Sequence, residues 1–99
     1  MFAIKYVKSF AADLAELRAH NRTRLLDSIE AQLLHEPVRP SRNRKPLLGV
    51  VPPWDYIEPV WELRIGEYRV FYDVDVATSV VTVRALRHKP PHKTIEQIF

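Results

Sequence analysis

"WELRIGEYRVFYD", residues 61–73, decides the fold. Read around Gly66-Glu67, it is two short strands joined by a two-residue turn, with glycine at the first central position as a type II′ hairpin requires. In that register Ile65 faces Tyr68, Leu63 faces Val70 and Trp61 faces Tyr72, giving one continuous apolar face. A slip of one residue would turn that whole set to water, which pins the pairing. The other face then carries Glu62 opposite Phe71 and Arg64 opposite Arg69. Like charges set directly across a ladder cost stability, so the two arginines need a reason to be there.

Working outward, "DVATS" is a looser turn and "VVTVRALRH" a further strand, completing a three-stranded antiparallel meander. At the other end "FAIKYV" (2–7) alternates, with Phe2, Ile4 and Tyr6 on one face. Ser9 is the expected N-cap of a first helix carrying Phe10, Leu14 and Leu17, with Asp13 favourable near its first turn. Asn21 is the expected cap of a second, "RTRLLDSIEAQLLHE", whose Leu25, Ile29 and Leu33 recur every fourth residue until Pro37 stops it. Residues 36–59 hold six of the eight prolines (37, 40, 46, 52, 53 and 59), so a central strand or long helix there is excluded. The whole reads as one α+β domain over residues 1–99. An N-terminal strand and a helical hairpin precede the meander, and a small sheet packs on two helices. The opposite sheet face is left for something else.

Composition agrees with a compact domain: 99 residues, 46% hydrophobic and 10% aromatic. The absence of cysteine excludes disulfides, thiolate metal sites and cysteine nucleophiles. No apolar run reaches the roughly 18–20 residues needed to cross a bilayer, and no secretory signal is legible at the start. A cytoplasmic location, no membrane and no cofactor are the expectations.

The net charge of +3 is unevenly spread. Arg39, Arg42, Arg44 and Lys45 form one cluster, and Arg84, Arg87, Lys89 and Lys93 another, with no acid inside either. Such a field suits a polyanion or an acidic partner, which marks Arg42, Arg44, Lys45, Arg84, Arg87 and Lys93 as candidate nucleic-acid contacts. Trp54 and Tyr56 could stack on bases or simply anchor the proline-rich loop. His20 and His35 sit at helix ends. Pro90-Pro91 separates His88 from His92 and prevents a helical metal-ligand pair, so no metal site is expected.

The "RKPLLG…WELRIGEYRVFYDVD" pattern, with a last short strand and a basic tail, resembles the RelE/ParE superfamily of toxins from bacterial toxin–antitoxin systems. "LRIGEYRVFY" (63–72) is the best-matching element, and the element order carries the resemblance over essentially the whole chain. The superfamily includes ribosome-dependent mRNA endonucleases of RelE type, gyrase poisons of ParE type and members of unclear activity, so an inactive relative that only binds its antitoxin is a third reading. The RelE branch implies metal-free cleavage, in which a ribose 2′-hydroxyl attacks the adjacent phosphate and a 2′,3′-cyclic phosphate results. That chemistry needs a base, cations around the phosphorane and a proton donor for the leaving oxygen. The resemblance places Arg64 and Arg69 at family basic positions and Lys89 near the arginine that closes the last strand. Glu62 stands where some members have lysine. RelE also has a catalytic tyrosine in its C-terminal segment, whereas no tyrosine follows Tyr72 here, and His88 and His92 are the titrating substitutes on offer. The implied partners are a cognate antitoxin and, by branch, either the ribosome with its mRNA or DNA gyrase.

Overall fold

The structure is a computed structural model and describes all of residues 1–99. In chain order the elements are β1 (Ala3–Tyr6), α1 (Lys8–Ala15), α2 (Ala19–Leu33), β2 (Arg44–Leu47), β3 (Val60–Ile65), β4 (Tyr68–Asp75), β5 (Val80–His88) and α3 (Ile95–Ile98). The five strands form one sheet in the order β1-β5-β4-β3-β2, with β1 parallel to β5 and every other pair antiparallel.

The hairpin has the expected register, Arg64 opposite Arg69 included. Gly66 turns it with φ +59, and Glu67 keeps a negative φ, as a type II′ turn demands. Leu63, Val70 and Tyr72 are fully buried together with Phe10, Leu25, Ile29, Leu33, Val81 and Val83 in the core between sheet and helices. The stripe of α2 therefore does what its four-residue spacing implies.

Two caps do not form as expected. Val7 and Arg18 occupy the N-cap positions of α1 and α2, without side-chain capping bonds. Ser9 lies inside α1 and donates to the Arg84 carbonyl, and the Asp13 carboxylate accepts from the Leu86 N–H at 3.5 Å. The reason lies in the sheet. β1 pairs with β5 only as far as Val83, so beyond it the outer edge of β5 has no strand beside it. Two polar residues four apart on α1 supply bonds there instead, because i and i+4 share one helix face.

A strand absent from the sequence reading is β2, inside the proline-rich segment. It pairs with β3 through Arg44↔Leu63 to Leu47↔Val60, at the sheet edge. Pro46 is tolerated because its missing N–H faces away from β3. The Arg44 carbonyl, facing the same way, accepts from the Ser41 N–H at 2.8 Å. Pro37 is buried after α2, and its carbonyl accepts a 2.6 Å bond from the fully buried Tyr72 hydroxyl. Burial, eased slightly by the charge of Arg44, pushes the Tyr72 phenol above its ordinary value.

Candidate functional site

The sheet face away from α1 and α2 carries a row of arginines, one from each of three adjacent strands. Arg64 on β3 pairs with Arg69 on β4, which pairs with Arg87 on β5. Strand alternation puts all three side chains on the same side. They are not equivalent. Arg64 is exposed, and its side chain engages no hydrogen bond or ion pair. Arg69 is only 6% exposed and donates to the carbonyls of Gly66 (3.0 Å) and Tyr68 (2.9 Å). Burial, and after it the charge of Arg64, lowers the Arg69 pKa from its ordinary value, with Glu62 pulling the other way. Arg87 donates to Asp13 at 3.0 Å and lies over the Trp54 ring, 5.4 Å from its centroid. The sequence expectation of two arginines both free to grip one phosphate is thus corrected. Arg64 alone is open, and Arg69 is a buried charge beneath it that keeps the local field positive.

Glu62 is 3% exposed, and its nearest cation is Lys45 at 4.0 Å across the β2–β3 ladder. One of its carboxylate oxygens, like the Arg69 Nε, has no hydrogen-bond partner. At that burial its carboxylate is shut off from solvent, with Lys45 and Arg69 as the charges it influences. The expectation of an open carboxylate beside Arg64 is corrected accordingly.

Two further expected contacts are committed elsewhere. Arg44, 8% exposed, points to the helix side, donates to the Gln32 carbonyl near the end of α2 and lies 4.0 Å from Glu36. A cation there favours the negative end of the helix. Arg84 occupies a bulge in β5 opposite Phe71/Tyr72 and grips the fully buried Asp73 with Nε (2.9 Å) and Nη2 (3.3 Å). A buried carboxylate is held by such a two-pronged pairing. Arg42, Lys45 and Lys93 remain exposed to solvent.

The same face holds a second apolar cluster that the sequence reading left out. Val60, Phe71 and Ala85 are buried beneath Leu47, Trp54, Tyr56 and the C-terminal Ile95, Ile98 and Phe99. The ring of Trp54 stands 5.6 Å from Phe71 and 5.1 Å from Phe99, so it anchors the proline-rich loop on the sheet. A capping box at Thr94 and Gln97 starts α3. That S/T-x-x-E/Q spacing is the one signal in the tail from which the helix was legible.

His88 pairs across β4 with Tyr68, whose side chain packs on the helix-side core. The face away from the arginines is therefore its own, and its Nε2 contacts Glu67 at 3.0 Å. His92 is exposed in the turn before α3. Lys89 follows His88 by one residue, is half-buried, and has its N–H bonded to the Glu67 carbonyl at 2.7 Å. Alternation turns it to the arginine face. Of the six expected catalytic residues, the fold brings together Arg64, Arg69, Glu62 and Lys89 on one face and turns His88 away. No group of three or more His, Asp or Glu side chains is placed to hold a metal ion. No helix is long and apolar enough to cross a membrane.

What the arrangement can do is bind an anion. An unneutralised guanidinium on a rigid strand, with Lys45, Lys89 and a buried arginine around it, offers charge-assisted donors where negative charge would sit.

Residues 4–89 match the family model described as the ParE toxin of the type II toxin–antitoxin system parDE. No curated protein sequence matches the chain. Among solved structures, the fold is similar to the RelBE2 toxin–antitoxin complex of Mycobacterium tuberculosis, with a TM-score of 0.71 at 20% identity over 89% of this chain and 98% of that one. The RelE–RelB complex of Pyrococcus horikoshii gives 0.69 at 24% identity, over 94% and 98% of the two chains. The isolated RelE toxin of Escherichia coli gives 0.66 at 16%, over 98% and 93%.

Proposed function

Since the chain belongs to the RelE/ParE superfamily of type II toxin–antitoxin toxins, we propose that its toxic act is metal-free cleavage of mRNA, performed on the arginine-bearing sheet face. The supporting observation is Arg64, exposed and unpaired on a strand while the buried Arg69 lies directly opposite. Arg64 meets the phosphate and stabilises the charge that grows on its oxygens. The 2′-oxygen, its proton lost to solvent, bonds to phosphorus and the P–O5′ bond breaks, the 5′-oxygen leaving as a hydroxyl with a proton from solvent. Lys89, turned to the same face, supplies a second cation. Arg69 acts from beneath as a positioning charge, held by the turn carbonyls and balanced by Glu62. His92 and Lys93, exposed beyond β5, and Arg42 and Lys45 at the other side extend the basic track along which RNA lies. The cognate antitoxin covers this face, and an acidic segment in it would complement the charge.

The test is to add purified toxin to translating ribosomes and map the message ends. Codon-phased cuts bearing 2′,3′-cyclic phosphate are expected, and Arg64→Ala removes them. Intact message at a growth-arresting dose refutes cleavage. A second reading, inhibition of DNA gyrase, draws support from the match to the ParE family model and from His88 being turned off the face. It predicts loss of DNA supercoiling in vitro with message untouched.

A further inference from the structure

One rim of the sheet is open. β1 ends the strand order and has β5 on one side only. Parallel pairing spends the N–H groups of Ala3 and Val7 on the Ser79 and Val83 carbonyls. Alternation then turns the N–H and C=O of Ile4 and Tyr6 outward, where no hydrogen bond engages them. The Phe2 carbonyl faces the same way, while its N–H is bonded to the Leu34 carbonyl at 2.8 Å. Over this rim, on the helix side, is a slot of about 320 Å³ lined by Phe2, Ala3, Ile4, Tyr6, Glu30 and Leu34. Unspent backbone beside an apolar slot is what an added strand uses, main-chain bonds giving grip and alternate side chains giving fit.

We infer that the occupant is β1 of a second copy of this chain, run antiparallel about a two-fold axis so that the two sheets become one. The strand fits itself. Its apolar side chains at 2, 4 and 6 share one face, as the slot demands. With Ile4 set against Ile4 of the second copy, each Ile4 N–H meets the other's carbonyl, and each Tyr6 N–H meets a Phe2 carbonyl. Phe2 and Tyr6 then face each other as cross-strand aromatic pairs, which favour pairing, and Lys5 faces Ala3. The rival register with as many bonds sets Ile4 against Tyr6 and Lys5 against Lys5, a like-charge pair that costs stability. At the other rim Pro46 has no N–H to give, so the assembly stops at two copies. The axis stands perpendicular to the sheet, which puts both helix layers on one side and both arginine rows on the other. The dimer thus doubles the width of the basic face, whether that face meets RNA or gyrase.

The test is sedimentation equilibrium of the full chain over a concentration series, in dilute buffer and in about 1 M NaCl. A dimer that grows with concentration is expected. Ile4→Pro deletes the outward donor and keeps the inward bonds, and should weaken association at least about tenfold, since symmetry counts each lost bond twice. Exposed Ala3 gives variants that leave the fold alone. Ala3→Glu sets a carboxylate against Lys5 of the second copy and should tighten the dimer several-fold, Ala3→Lys should loosen it, and both effects should fade in high salt. Leu48→Asp, at an exposed apolar residue just beyond β2, should change nothing. A monomer at every concentration up to about 1 mM overturns the inference. So does a dimer that ignores Ile4→Pro and both Ala3 changes, or one that Leu48→Asp dissolves.

Discussion

Replacing Arg64 should make the fold more stable and the toxin inactive. Arg64 has no hydrogen bond or ion pair to lose, and it faces the buried Arg69 across the ladder. Like charges so placed cost about 0.2–1 kcal/mol. Burial and the Arg64 charge both depress the Arg69 pKa, so its charged form, the one present at neutral pH, is disfavoured by folding. Arg64→Gln keeps most of the aliphatic stem and removes the repulsion, a gain of about 0.2–1 kcal/mol. Arg64→Glu turns repulsion into attraction and should gain roughly twice that. For a domain of this size each kcal/mol moves Tm by about 4–8 °C, so a rise of a few degrees should be visible. Urea unfolding in dilute buffer and again in about 1 M NaCl separates the causes, because the screening length falls from about 10 Å at 0.1 M to about 3 Å there. The gain should largely vanish in high salt while the loss of activity persists. If Arg64→Gln destabilises the protein, or if its gain is the same at both salt concentrations, the repulsion argument is wrong.

Other outcomes follow from the same contacts. Asp73→Asn strands the Arg84 guanidinium, which is 19% exposed, and should cost about 3 kcal/mol, the low end for breaking a buried pair. Adding Arg84→Met should recover part of that loss in chemical denaturation. Tyr72→Phe leaves the buried Pro37 carbonyl without its 2.6 Å donor, an expected loss of about 1–3 kcal/mol by thermal melting. Alkaline pH should destabilise the protein. Burial raises the phenols of Tyr72 and Tyr6, the latter helped by Glu30, so above pH ~10 the unfolded chain binds fewer protons than the native one and stability falls. In Tyr72→Phe most of that alkaline slope should be gone. Trp54→Ala removes the ring between Phe71 and Phe99 and should speed hydrogen exchange across α3 while leaving α2 protected.

The hairpin was legible because alternation and a glycine turn agree on one register, and two arginines facing each other followed from it by arithmetic. The helices were legible in their apolar spacing, but their caps were not. Ser9 and Asp13 look like capping residues until the sheet is known to end early beside them, and only tertiary context reveals that. β2 escaped because Pro46 argues against a strand, and the argument lapses only at an edge. The charge clusters misled in the same way. A run of Arg and Lys says nothing about which side chains are spent internally, as Arg44 is on a helix end and Arg84 on Asp73. Glu62, Arg69 and Lys89 differ in burial, and position along a strand does not reveal by how much. The covering of this face by Trp54 and the C-terminal residues, packed on Val60, Phe71 and Ala85, likewise rests on contacts remote in sequence.

The two rims of the sheet are unlike in what they offer an extended chain. Along β2 an incoming strand would find no donor at Pro46 and an acceptor at Arg44 already taken by Ser41, so that side is sealed against stacking of one molecule on another. Along β1, where Ala3 and Val7 turn their N–H groups inward to Ser79 and Val83, the backbone of Ile4 faces outward with its donor and acceptor both unspent. Any lengthening of the sheet is therefore polar, able to proceed from the β1 rim and halted at the other.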